Sequence, residues 1–256
     1  MSASAPPLPP DTSRFASVDA PPRVRRLLAT LHALAAQTLA NPLKLTIVEL
    51  ERELFRDAER ARNSQIQADI LAQSRRLHEV NAQFAPRFLD ALATSLAKLR
   101  EPRVRHEPAA PVAVTWAPVD ASGTSTDHTM RLDGEPGEGL AAVDTATTLT
   151  LVTDTDIDRD IVLADITRRE AQRSASALQL LGQRFGVLAA GPEFDVEDLP
   201  FGPHALCRIA RDLGEQFQLG LETQLALYRV FDQQLLERLG ELLERANILL
   251  AHEGIL

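Results

Sequence analysis

The sequence predicts an all-α protein: a bundle of long amphipathic helices in two halves, with a disordered N-terminus and a long disordered acidic linker between the halves. Three observations carry this. Leu221, Leu225, Tyr228, Asp232, Leu235, Leu239, Leu242, Ala246 and Leu249 step by alternating fours and threes, so they share one seam of a helix, and Leu236, Leu243 and Leu250 widen it. Aromatic residues make up only 4% of the 256 residues, with one Trp and one Tyr, while Leu and Ala dominate, which suits an aliphatic helical core. Residues with strong strand preference are scarce, and a 45% hydrophobic, 25% charged chain of this length can bury one sizeable core.

In chain order, residues 1–20 hold Pro6, Pro7, Pro9 and Pro10 among Ser, Ala and Asp, and this composition predicts a disordered tail. The first helical half spans 21–100. Its first helix begins at Pro21 and Pro22, where proline costs no hydrogen bond, and ends near Leu39 because Asn41-Pro42 stops it. A second helix resumes at Leu43 through Ile47, Leu50, Leu54 and Ala58. Ser64 followed by Gln67 fits a capping box, which predicts a break there, a continuous helix being the alternative. The third segment, through Leu77, Phe84, Phe88, Leu92 and Leu96, contains Pro86 and should kink or restart at it.

Residues 101–150 change character: five of the sixteen prolines fall among Gly, Ser, Thr and acidic residues, neither helical nor strand period survives, and the stretch reads as a disordered linker. Val112, Val114 and Trp116 alternate, and 147–152 has the makings of a short strand, yet both read as extended loop. The second half spans 151–256 and packs with the first into one domain. One long helix runs from about Asp156 through Ile157, Ile161, Ala164, Ala171, Ala175, Leu178 and Phe185, with Arg168 on or near its seam, and ends at Gly191-Pro192. Pro203 opens a helix reaching about Gln218, Gly220 turns the chain into the Leu221–Leu250 helix, and Gly254 terminates it.

Chemistry-bearing patterns are few. Net charge is −9, and the basic residues are spread along helices without interleaved aromatics, which argues against nucleic-acid binding. Arg23, Arg25 and Arg26 are the one tight basic cluster and read as a solvated first turn. The lone Cys207 sits among Leu206, Ile209 and Ala210 as a small buried hydrophobe. Asp154, Asp156, Asp158, Asp160 and Asp165 echo a calcium-binding loop, but Arg159 occupies the place of the turn glycine and the last ligand is Asp, so they read as helix-capping charges. Asp232 at a seam position needs a partner, with Arg168 or a histidine as candidates, in a polar contact that sets helix register. The six histidines never stand at ligand spacing, and no Gly-rich phosphate loop, nucleophile elbow or Cys-His pair is present. No cofactor or metal is expected, no stretch reaches eighteen apolar residues, no signal peptide is evident, and the expected location is the cytoplasm.

The runs Glu53-Leu54-Phe55-Arg56-Asp57-Ala58-Glu59-Arg60-Ala61-Arg62-Asn63-Ser64-Gln65, then Gly202-Pro203-His204-Ala205-Leu206-Cys207, then Leu227-Tyr228-Arg229-Val230-Phe231-Asp232 resemble the amino-terminal part of a proteobacterial family. It is the domain-of-unknown-function family sixteen-thirty-one, whose members are often mislabelled thymidine phosphorylase. The resemblance covers 25–256 apart from the linker and implies a bacterial cytosolic protein, usually longer, associated in some members with a PilZ domain that senses cyclic di-GMP. Neither the PilZ signature nor a phosphorylase glycine-rich segment occurs in these residues.

Long amphipathic stripes outnumber catalytic groups, so the leading expectation is a non-enzymatic protein-interaction or scaffold module of a bacterial regulatory protein, acting through helical surfaces on a partner or on itself. Tyr228, Asp232, Leu235, Leu239 and Arg168 are the expected organising contacts. The alternative is a regulator that binds cyclic di-GMP through arginines such as Arg23, Arg25 and Arg26, and an enzyme comes third.

Overall fold

A computed structural model describes residues 13–101 and 154–256. The expectations for residues 1–12 and for most of the 101–150 linker, including Val112 to Trp116 and the 147–152 stretch, lie outside the described residues. Among the described residues the protein is all-helical, with seven α-helices and no strand. No described helix is long and apolar enough to cross a membrane.

Helix α1, Pro22–Arg60, opens on a proline and runs for 39 residues, or about 58 Å at 1.5 Å per residue. The stop expected at Asn41-Pro42 does not occur: Asn41 stays helical and Pro42 lies inside the helix. An interior proline costs about 3 kcal/mol, but Leu39, Leu43, Ile47 and Leu50 around it are buried, each worth ~1.5–3 kcal/mol, so packing overrides the local preference. The chain then turns through Ala61, in extended conformation, into α2, Ser64–Ala97. The break is present, but its cap is Asn63, whose Oδ1 accepts from the Gln65 amide at 2.8 Å, one residue before the expected Ser64. Pro86 neither restarts nor interrupts α2, for Phe84, Ala85 and Phe88 beside it are buried in the core.

After residue 153, α3 (Asp154–Arg173) and α4 (Ala175–Ala189) replace the single helix expected there, with Ser174 at φ −105°, ψ 17° between them. The bend directs α3 onto α5 and α6 and α4 onto α7. α4 ends in a two-bond C-cap: Gly191 N–H donates to the Gly186 carbonyl and Ala190 N–H to that of Val187, with Ala190 left-handed at φ 55°. α5, Pro203–Gln216, ends the same way around Gln218 at φ 53°. Gly254, at φ 77°, closes the last helix with the residue that such a position favours.

The expected 221–250 rod is two helices, α6 (Leu221–Gln234) and α7 (Leu239–His252), joined by a 3-10 turn at Leu236–Arg238. The apolar stripe itself is buried, with Tyr228, Leu235, Leu236, Leu239, Leu242, Leu243 and Ala246 all fully enclosed. A straight rod would carry that stripe past the body. The turn instead lets α6 pack on α1, α3 and α5 while α7 packs on α4 and α1.

Helices from both sides of 102–153 share one hydrophobic core. Phe88 of α2 meets Phe231 of α6 with ring centroids 5.7 Å apart, and Phe84 meets Phe217 at 6.3 Å. Arg76 donates to the Gln218 carbonyl at 2.7 Å, and the Gly220 amide donates to Gln73 Oε1 at 3.0 Å. Residues 13–20 of the tail expected to be disordered are structured: Ser13–Phe15 forms a 3-10 turn, and Phe15 is fully buried with its ring edge-on to His32. An aromatic ring is a large apolar payload, and it anchors the otherwise polar run.

Candidate functional site

Gln224, Tyr228 and Asp232 stand one turn apart on α6, so they form a polar edge facing α3 and α5. The Tyr228 hydroxyl donates to Gln224 Oε1 at 3.3 Å, Gln224 Nε2 donates to the Leu219 carbonyl at 2.7 Å, and Arg159 Nη1 reaches the same Gln224 oxygen at 2.8 Å. Arg159 also pairs with Glu215 at 3.3 Å, which Arg211 contacts at 3.2 Å while pairing with Asp160. Burial pushes the Tyr228 hydroxyl up to about 12 against the opposing pull of Arg159 and Arg211, so it serves as a neutral donor.

One turn further, Asp232 pairs with Arg169. Glu170 is 1% exposed, and its Oε1 takes Arg173 at 3.2 Å. Glu170 Oε2 and Asp232 Oδ1 are buried with no hydrogen-bond partner. Burial raises the Glu170 carboxyl above its ordinary value, and the negative charges of Asp232 and Glu237 add to the rise while Arg173 and Arg169 oppose it. Cys207 on α5 is pushed up to about 12, first by burial and then by Asp232 and Glu170, so it is a thiol rather than a thiolate. Burial also lowers His204. Tyr228 and Cys207 are thus held in their neutral forms, and among the described residues no group of three or more His, Cys, Asp or Glu could hold a metal ion. Asp160 and Asp165, from the calcium-like run, pair with Arg211 and Arg168. The side chains of Asp154, Asp156 and Asp158 lie outside the described residues.

The expected pairing of Asp232 with Arg168 is corrected by one residue. Arg168 is 72% exposed and pairs with Asp165 at 2.7 Å, while Arg169 takes Asp232. The cause is the register of α3. Its buried face is Leu163, Ile166, Thr167, Glu170 and Ser174, whereas Ile161, Ala164 and Ala175, read as seam residues, are exposed. That true seam also steps by threes and fours, but two polar residues and an acid on it hid it behind the alanines. Leu235 and Leu239 sit at the α6–α7 turn, inside the core and away from the polar edge. Gln224, Glu170 and Arg169 were not singled out by sequence, nor Arg159 as a contact; only the 4-3-4 spacing of Leu163, Thr167, Glu170 and Ser174 could have pointed to Glu170.

Glu170 makes stability pH-dependent with a definite sign. A carboxyl whose folded value lies above its ordinary 4.5 holds its proton in the native state after the unfolded chain has lost it, so stability falls as pH climbs past the ordinary range. Thermal midpoints followed by circular dichroism between pH values of about 5 and 8 should fall in the native chain relative to Glu170→Gln. Parallel curves for the two would contradict this.

A second surface lies on the α1–α2 hairpin. From Glu59 to Arg76 no side chain is buried, so the end of the hairpin stands clear of the core. Phe55 is 56% exposed there, with Leu45, Val48 and Ile66 also exposed. Between the two helices runs an open groove of ≈ 1010 Å³ whose lining includes Val48, Phe55, Glu49, Arg56, Arg75 and His78. Leu45, Val48 and Phe55 are spaced three and seven apart, on the opposite side of α1 from buried Leu43, Ile47, Leu50 and Leu54. Arg23 donates to the Glu253 carbonyl and Arg25 to that of Ala16, tying both ends of the described chain to α1.

No curated protein and no solved structure matches this chain. Residues 23–254, which include nearly all of the described structure, match the family described as "Protein of unknown function (DUF1631) N-terminal domain". The chain therefore belongs to that family, and the fold described above is the form its amino-terminal domain takes here.

Proposed function

We propose that this chain is a non-enzymatic, cytoplasmic protein-interaction module of a bacterial regulatory protein, and that the exposed end of the α1–α2 hairpin is its docking surface. The observation that carries the reading is the uncovered apolar stripe Leu45, Val48 and Phe55 beside a groove with charges of both signs. A solvent-facing stripe at this spacing on a projecting helix is what a partner helix covers. The occupant that fits is an amphipathic helix with apolar residues three and four apart, flanked by acids and bases in alternation, since Glu49, Glu51 and Glu79 face it beside Arg52, Arg56 and Arg75.

A photo-crosslinking residue at position 55, used in a bacterial lysate and with the purified chain, tests this. A discrete crosslinked species should form and be lost in Val48→Glu, with helix content and thermal midpoint unchanged. A chain that stays monomeric by light scattering and crosslinks to nothing would overturn the proposal. Calorimetry with cyclic di-GMP should give no heat; saturable heat abolished by Arg26→Ala would establish the nucleotide reading in its place.

A further inference from the structure

Three features of α3 set it apart from the other helices. Its described fastening is mainly polar: from Arg159 to Arg173 the buried hydrophobic residues are Leu163 and Ile166, whereas α7 buries Leu239, Leu242, Leu243, Ala246 and Leu250. Arg159 to Glu215 and Gln224, Arg169 to Asp232, and Arg173 to the Glu237 carbonyl do the rest. Ile161, Ala164, Arg168 and Gln172 on it are exposed to solvent. An open groove of ≈ 880 Å³ already lies between α3 and α5, with Ala164, Thr167, Cys207, Arg208 and Arg211 among its lining.

The closed position also leaves two carboxylate oxygens, on Glu170 and Asp232, buried without partners. Water would satisfy both if α3 lifted, so opening recovers hydration while it gives up ion pairs that each keep one partner in contact with water. The chain has a ready pivot at Ser174, where α3 and α4 meet at a bend. Elements with few buried apolar contacts sit at the low end of local stability and open before the core does.

We propose that α3 is a detachable strap: it releases from α5 and α6 as a unit, pivoting at Ser174, and uncovers Cys207 and the Tyr228–Asp232 edge of α6. The strap is a conformational switch separate from the hairpin docking surface, and either can stand if the other fails. Salt favours the open form because it screens Arg159–Glu215 and Arg169–Asp232.

Cys207 is the only cysteine and is buried, so its alkylation reports the opening. The whole chain is treated with N-ethylmaleimide, an uncharged reagent, under native conditions, and the rate is normalised to that of the unfolded chain. Asp232→Asn and Arg159→Gln should each react about tenfold faster, as the release of a fastening worth ~1.4 kcal/mol requires, and molar salt should accelerate the native chain several-fold. Leu242→Ala, in the α7 core, is the control: it lowers the thermal midpoint but should leave the rate within about twofold. If Leu242→Ala accelerates alkylation as much as the two fastening variants, or if salt and both of those variants leave the rate unchanged, Cys207 is reached only by global unfolding and the strap is refuted. Arg159→Gln keeps the comparison available should Asp232→Asn fail to fold.

Discussion

Phe231→Ala should lower the free energy of unfolding by about 3–5 kcal/mol, the range for truncating a fully buried aromatic ring. Phe231 is 1% exposed and lies on α6, and its ring meets that of Phe88 on α2 at 5.7 Å with an interplanar angle of 45°. The cavity left by the truncation opens between helices that lie on opposite sides of residues 102–153, so little can collapse into it without moving α2 or α6. Phe88→Ala should cost a similar amount. Because the rings touch, the double variant should lose less than the two singles together, with a coupling of about 0.5–1.5 kcal/mol. Urea unfolding of the native chain and the three variants measures all four values. Strict additivity would mean that the two rings do not share one site in solution.

Gly182→Ala is the second large effect. A Cβ at Gly182 would lie 2.5 Å from the Phe194 carbonyl oxygen, a backbone atom that cannot swing aside. Phe194 N–H also donates to the Gly182 carbonyl at 3.1 Å, so α4 and the 190–202 loop are in backbone contact at this point. A Cβ at Gly186, one turn on, would lie 2.9 Å from both Pro192 O and Glu193 Cα. Relieving the clash requires the loop to retreat, which loosens Phe194 from its edge-on contact with Phe185 and costs roughly 1–3 kcal/mol. Gly240→Ala, where a Cβ meets nothing within 4 Å, is the matching control and should leave stability unchanged or slightly higher. A thermal midpoint for Gly182→Ala equal to that of the control would show that the loop does not lie against α4.

The all-helical class and the apolar stripe of residues 221–250 were legible because both rest on periodicity, which follows from helix geometry alone. The breaks were not, because they answer to tertiary demands. Pro42 and Pro86 stay inside helices since buried leucines and phenylalanines flank them, while the 235–238 turn, with no proline or glycine at its start, forms so that both ends of one stripe reach the core. The ends of α4 and α5 fall within two residues of Gly191-Pro192 and Gln218, where the sequence put them. What was not readable is that the left-handed cap residues themselves are Ala190 and Gln218 rather than a glycine, as at Gly254.

The candidate site was legible only in part. Tyr228 and Asp232, read as members of an apolar seam, lie with Gln224 on a polar edge of α6, and the acid near Asp232, Glu170, is masked in sequence by the more tempting alanine row on the exposed side of α3. A buried acid looks in sequence like a surface residue. Its burial depends on α5 and α6, which lie at least thirty positions further along the chain.

The central claim is that α1 and α2 form one cooperative core with α5, α6 and α7. Native-state hydrogen exchange of the whole chain tests it most directly. The slowest amides around Leu43–Leu50, Phe84–Leu92, Leu206–Ala210 and Leu239–Leu250 should exchange with the same opening free energy and respond together to low urea. If the α1–α2 amides exchange at a clearly different free energy from those of α5 to α7, the two sides unfold independently, and the shared core is contradicted.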